Sequence, residues 1–137
     1  MTNQVNKKTF FYQNGKPYAC LDYVNEKKEG CQNYFYPSGV PMSSFQIKNE
    51  KLEGPLNFFW SDGSLKKTAF YVDGKIDGEE KIYNDLGCLI EQNHFKDGKL
   101  HGKQIAYFAS GGIMTIKYFE MGNLIKIEKF DVKGKPL

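Results

Sequence analysis

Glycine recurs in this chain at a fixed interval, and that interval restricts the folds open to it. Gly15, Gly39, Gly63, Gly87 and Gly111 follow one another at steps of 24 residues, as do Gly30, Gly54, Gly78 and Gly102. A shorter series, Gly74, Gly98 and Gly122, keeps the same step. Five units in unbroken register result (7–30, 31–54, 55–78, 79–102 and 103–126), with a partial sixth at 127–137. A period of roughly 20–50 residues is the signature of a repeat architecture, in which each unit rests mainly on its neighbours. The chain therefore reads as a single repeat domain over 1–137.

Apolar residues keep the same step. Counting places from 1 to 24 within a unit, place 5 holds Phe11, Phe35, Phe59, Tyr83 and Tyr107, and place 11 holds Pro17, Pro41, Leu65, Leu89 and Ile113. Place 17 holds Tyr23, Ile47, Tyr71, Phe95 and Phe119, and place 22 holds Lys28, Leu52, Ile76, Leu100 and Leu124. Only Lys28 breaks the pattern, in the first unit, where an atypical terminal repeat is expected.

Turn chemistry converts this pattern into hairpins. Asp73-Gly74 and Asp97-Gly98 lie between apolar-containing runs, and a type I′ turn needs positive φ at both central residues. Such tips pair Phe95 with Leu100, Tyr71 with Ile76 and Ile47 with Leu52. In the first two units the tips read Asn25-Glu26 and Asn49-Glu50. Glutamate fits positive φ poorly, so longer or looser tips are expected there. The first glycine series closes the segments QNG, PSG, SDG, DLG and ASG. A three-residue loop ending in a left-handed glycine pairs Phe35 with Pro41, Phe59 with Leu65 and Tyr107 with Ile113. Places 5, 11 and 17 are even steps apart and are expected to share one face, joined by place 22 through cross-strand pairing. The odd step from place 22 to the next place 5 then calls for a one-residue bulge at the place-24 glycine. The expected fold is all-β: an elongated, single-layer, twisted antiparallel sheet of consecutive β-hairpins. About 11 strands at roughly 4.8 Å spacing would extend on the order of 50 Å.

Composition narrows the function classes. A net charge of +3 gives no basic footprint for nucleic acid, and the 26% of charged residues are of mixed sign, as on a solvated surface. The three cysteines, Cys20, Cys31 and Cys88, are odd in number and fit no zinc spacing, so free thiols in a reducing compartment are expected. No segment has the length of a signal peptide's apolar run or of a membrane span. The chain reads as cytoplasmic; a cell-envelope protein whose signal has been removed would look the same.

The stretch Phe95-Lys96-Asp97-Gly98-Lys99-Leu100-His101-Gly102, followed by Tyr107-Phe108, resembles the MORN repeat, and more closely its bacterial variant. Nearly the whole chain takes part, most clearly residues 55–120. Glu26 and Glu50 replace a turn glycine, and Lys126 stands where the mid-strand glycine belongs. The resemblance implies a protein-interaction module, antitoxin-like, that binds a bacterial partner protein. The alternative it implies is a peripheral membrane or lipid-binding module. MORN repeats also accompany lipid kinase domains, but no phosphate-binding glycine loop or catalytic Asp constellation is visible. The expectation is a chain with no enzymatic activity, no cofactor and no metal.

Two groups of residues are candidate sites. His94 and His101 flank Asp97-Gly98 symmetrically and are expected opposite each other; zinc needs three or four ligands, and nothing in the spacing completes a set, so ordinary surface histidines are the plainer reading. Tyr12, Tyr36, Trp60 and Phe108, with Phe10, Tyr34 and Phe58, point away from the place-5 stripe. Either twist and neighbouring hairpins partly bury both faces, or this face is an exposed aromatic strip for a partner, since exposed apolar patches mark interaction sites. The strip fades at Asn84 and Ala106, biasing the surface to the N-terminal half. Candidate partner-binding residues are Tyr12, Tyr34, Tyr36, Phe58, Trp60 and Phe108. Lys117, Lys126, Lys129, Lys133 and Lys135 offer a weaker anionic-lipid contact, interrupted by Glu120, Glu128 and Asp131. Self-association through a sheet face or edge is a further expectation.

Overall fold

The structure, a computed structural model, describes residues 4–137; the first three residues of the expected domain lie outside it. The described residues are all-β. The strands are β1 (Asn6–Phe11), β2 (Pro17–Val24), β3 (Lys27–Phe35), β4 (Pro41–Lys48), β5 (Lys51–Leu52), β6 (Gly54–Phe59), β7 (Leu65–Val72), β8 (Lys75–Ile76), β9 (Gly78–Tyr83), β10 (Leu89–Lys96), β11 (Lys99–Leu100), β12 (Gly102–Tyr107), β13 (Ile113–Glu120) and β14 (Asn123–Lys129). They form one open antiparallel sheet. Eleven strands follow one another in chain order, and β5, β8 and β11 are short pieces just after hairpin tips.

Both turn series take the geometry that their residues favour. In the first, Gly15 donates to the Tyr12 carbonyl at 3.0 Å and Tyr12 donates to the Lys16 carbonyl at 2.8 Å, closing a three-residue loop with Gly15 at φ 84°. In the second, Asp97 and Gly98 lie at φ 49° and 80°. The expected pairs Phe95–Leu100, Tyr71–Ile76, Ile47–Leu52, Phe35–Pro41, Phe59–Leu65 and Tyr107–Ile113 all form. The tips at Asn25-Glu26 and Asn49-Glu50 are neither longer nor looser. Glu26 and Glu50 hold φ 65° and 67°, and the strands close directly as Val24–Lys27 and Lys48–Lys51. Strand pairing on both sides overrides the local preference of glutamate.

The arrangement of faces differs from the expectation. At the place-24 glycine two residues are extra, not one: Ile47 faces Leu52 but Ser44 faces Asn57, and Tyr71 faces Ile76 but Thr68 faces Lys81. A shift of two keeps the faces unchanged. The one-residue shift occurs beside the first turn, between Tyr34 and Phe35 and between Phe58 and Phe59 on one side of the hairpin. It divides the expected stripe. Places 5 and 11 lie on one face, here the back; places 17 and 22 lie on the other, the front, with places 2, 4, 13 and 15. The ring stacking of Tyr34 on Phe45 at 6.1 Å on the front, and the bond from the Tyr107 hydroxyl to Gln92 at 3.0 Å on the back, fit this division.

The best-buried row crosses the middle of the front face and alternates places 15 and 2: Leu21, Gln32, Phe45, Leu56, Ala69, Glu80 and Asn93. Gln32 is wholly enclosed, and Phe45 alone among these is half-buried. Among the described residues only Ala19, Leu21, Leu56 and Ala69 are buried apolar side chains. A compact monomer of this mass is expected to expose about 7,300 Å², whereas this chain exposes 8884 Å². A single layer has no second sheet or helix to bury its apolar groups.

Contacts between units therefore matter. The Gly74 and Gly98 N–H groups donate to the Leu52 and Ile76 carbonyls of the preceding units at 2.9 and 2.8 Å. Place-23 side chains add a second clamp. Glu53 accepts the Asp73 N–H at 2.7 Å, Asp77 accepts that of Asp97 at 3.2 Å, and His101 Nδ1 accepts that of Met121 at 3.1 Å. In the last unit Lys126 replaces the glycine and only one residue is extra, since Phe119 faces Leu124 and Tyr118 faces Lys126. The following turn accordingly arrives one residue early, on Gly134.

Candidate functional site

The one-residue shift beside each first turn sets the aromatic surface of the front face. It turns places 4, 6 and 12 the same way in the first three units. Phe10 and Tyr12 both lie against Tyr18, with ring centroids 5.8 and 5.5 Å apart. Tyr34 stacks on Phe45, and Lys28 Nζ stands 3.2 Å from its hydroxyl. Phe58 pairs with Ser43 on one side and Lys67 on the other. Lys66 Nζ sits 4.5 Å above the Trp60 ring, a cation–π contact. The indole Nε1 of Trp60 is buried with no hydrogen-bond partner among the described residues.

All six candidates are half-buried, and all lie on the front face. Tyr12, Tyr34, Tyr36, Phe58 and Trp60 come together over three units. Phe108 does not join them, because Asn84 holds the equivalent place in the unit between. Two of the hydroxyls are engaged within the sheet: Tyr12 donates to the Phe35 carbonyl at 2.6 Å and Tyr36 to the Phe59 carbonyl at 2.7 Å. Tyr18, Phe45 and Lys66 belong to the same surface and escaped the sequence reading. Place 12 holds Tyr18, Met42, Lys66, Ile90 and Met114, with no shared chemistry to reveal it. Place 15 is similarly mixed.

Toward the C-terminal half the front face becomes polar. Lys67 Nζ lies 3.0 Å from Glu80, and Asn93 Nδ2 bridges Glu80 at 2.8 Å and Glu91 at 2.9 Å. Two carboxylates thus converge on one amide, a juxtaposition that linear spacing does not reveal.

His94 and His101 are neighbours through the backbone, where the His101 N–H donates to the His94 carbonyl at 2.8 Å. Their rings take different partners. His94 Nε2 lies 3.7 Å from Glu79, while His101 Nδ1 is occupied by Met121. Both line an open hollow of about 320 Å³ with Gln92, Lys103 and Ile105. Among the described residues no three His, Cys, Asp or Glu side chains are grouped to hold a metal ion. The cysteines are unpaired, and no helix among the described residues is long and apolar enough to cross a membrane.

The C-terminal lysines are partly engaged. Lys126 Nζ lies 3.4 Å from Glu128 and 5.4 Å from the Tyr118 ring, which Lys103 also approaches at 5.7 Å. The Tyr118 hydroxyl, donating to Glu128, holds that carboxyl below the usual glutamate range, and the Glu128 acceptor raises the phenol in return.

No family model and no curated protein matches the sequence. Among solved structures the chain is similar to one described as "Crystal Structure of TarM", at 14% identity and a TM-score of 0.43, over 72% of this chain and 19% of that one. TarM is a glycosyltransferase. The expectation of a chain without enzymatic activity is corrected on that finding. It rested on absent linear motifs, which do not register groups that pairing assembles, such as Glu80 and Glu91. At this TM-score the likeness transfers no activity to the present chain.

Proposed function

We propose that the chain is a protein-interaction module built from MORN-type repeats, an antitoxin-like binder of a bacterial partner protein. The observation that supports this reading is the uncovered aromatic strip of the front face. Phe10, Tyr34, Phe45, Phe58 and Trp60 lie over three units of a sheet that buries only four apolar side chains among its described residues. Extended apolar patches mark interaction surfaces, and Tyr and Trp are favoured anchors there. Three free thiols accord with a cytoplasmic setting.

The test is retention of partner protein from lysate of the native host by immobilised wild type and by the double variant Phe58→Ser, Trp60→Ser. The reading requires a defined protein held by the wild type and lost from a variant whose circular dichroism is unchanged. Equal retention by a folded variant would overturn it. The lipid-surface alternative has less support, because Lys126 is paired with Glu128 and lies against Tyr118. Sedimentation with anionic vesicles at low and high salt separates the two, since screening weakens electrostatic membrane binding.

A further inference from the structure

The back face holds a different surface. Places 5 and 11 meet there to form a stripe running strand by strand through Phe11, Pro17, Phe35, Pro41, Phe59 and Leu65. No second layer covers it: Phe11 is 59% exposed, Leu65 37%, and Phe35 and Phe59 are half-buried. An aromatic ring recurs on every second strand, so successive rings are about 10 Å apart at ordinary strand spacing. Beside the stripe runs a parallel row of small polar residues, Cys20–Asn33–Ser44–Asn57–Thr68, each paired in register with the next. The side chains of Asn33, Ser44, Asn57 and Thr68 form no hydrogen bond among the described residues. Neither row carries a charge until Lys81.

We propose that this face binds a single extended chain of neutral β-1,4-linked hexoses. The apolar C–H face of a pyranose stacks on an aromatic ring, and its equatorial hydroxyls need planar or hydroxylic partners alongside. The stripe and the row supply these side by side. The disaccharide advance of an extended β-1,4 chain is close to the two-strand interval, so alternate sugars meet Phe11, Phe35 and Phe59 in turn. The absence of charge matches a neutral chain rather than a polyanion or polycation. Sheet twist of roughly 20–25° per strand restricts contact to a few units and to a single pliable chain, not a flat crystalline surface. This face lies opposite the aromatic strip, so the proposal stands apart from the protein-binding reading.

Titration calorimetry of the full chain with cellohexaose, chitohexaose and maltohexaose tests it. At least one β-1,4 hexaose is expected to bind saturably, and maltohexaose, whose α-1,4 chain coils, is expected not to. The double variant Phe35→Leu, Phe59→Leu keeps apolar volume but loses the flat rings, and is expected to weaken binding about tenfold or more. Phe35→Tyr with Phe59→Tyr, the residue type found at this place in Tyr83 and Tyr107, is expected to retain it. The front-face variant Phe58→Ser, Trp60→Ser should bind sugar as the wild type does. No binding of either β-1,4 hexaose by folded protein, equal binding of maltohexaose, or unweakened binding by the folded leucine variant would overturn the proposal.

Discussion

The hydroxyl of Tyr36 donates a 2.7 Å hydrogen bond to the backbone carbonyl of Phe59, two strands further along the sheet. Tyr12 makes the same bond to Phe35 at 2.6 Å. One repeat thus holds the next through a side chain placed at its own first turn. Tyr36→Phe keeps the ring and removes the bond, and is expected to cost about 1 kcal/mol. Chemical denaturation of wild type and variant checks this. A loss indistinguishable from zero would mean that water replaces the hydroxyl at no cost.

Glu26 occupies a left-handed position at φ 65° that glycine fills in the third, fourth and fifth units. The left-handed region costs a non-glycine residue roughly 1–2 kcal/mol, offset in part by glycine's greater freedom in the unfolded chain. Glu26→Gly is therefore expected to stabilise the protein by about 0.5–1 kcal/mol, read as a rise in the thermal midpoint. Glu50→Gly is expected to gain no more, although its pairing with Lys27 at 2.6 Å is an exposed one of small value.

Glu80 and Asn93 stand where Leu56 and Ala69 stand one unit earlier, in the same cross-strand pairing. Glu80→Leu alone leaves Lys67 without its carboxylate and Asn93 with only Glu91 of its two acceptors, a loss of about 1–3 kcal/mol. Adding Asn93→Ala rebuilds the apolar pair of the preceding unit. The double variant is expected to recover most of that loss, a non-additivity that a double-mutant cycle would measure. Additive losses would show that the polar bridge is not a coupled unit.

Asp22 accepts from Lys7 Nζ at 2.8 Å and from the Cys31 N–H at 3.0 Å. Chiefly through the Lys7 bond, and secondarily through Cys31, its carboxyl is held below the usual aspartate range, with burial opposing. A depressed folded-state pKa stabilises the fold above the unfolded value of about 3.9, and that contribution disappears as pH falls through the folded value. Asp22→Asn is expected to be less stable than wild type at neutral pH, with the gap closing below about pH 4. A gap that persists unchanged to pH 2 would assign the effect to packing rather than to charge.

Much of this architecture was legible because its signals are local. Positive φ at Gly15 or at Asp97-Gly98 is a demand of the turn itself, so residue type and spacing announce each hairpin and its register. The same reading failed at Glu26 and Glu50, where neighbouring strands hold a tip closed against the preference of its own residues. The candidate surface was legible in part. Tyr12, Tyr34, Tyr36, Phe58 and Trp60 were visible as an aromatic cluster recurring through the first three units, but their companions Tyr18 and Phe45 were not, since places 12 and 15 share no chemistry from unit to unit.

By itself the sequence determined the period, the two kinds of turn and hence a chain of antiparallel hairpins laid in order. Only the tertiary structure decided which face each side chain occupies. Face follows from the count of residues between paired positions, and that count changes by one beside each first turn and by two at each mid-strand glycine of the first four units. Such shifts arise in the pairing of two strands, and a single-residue slip sends every later side chain to the opposite side.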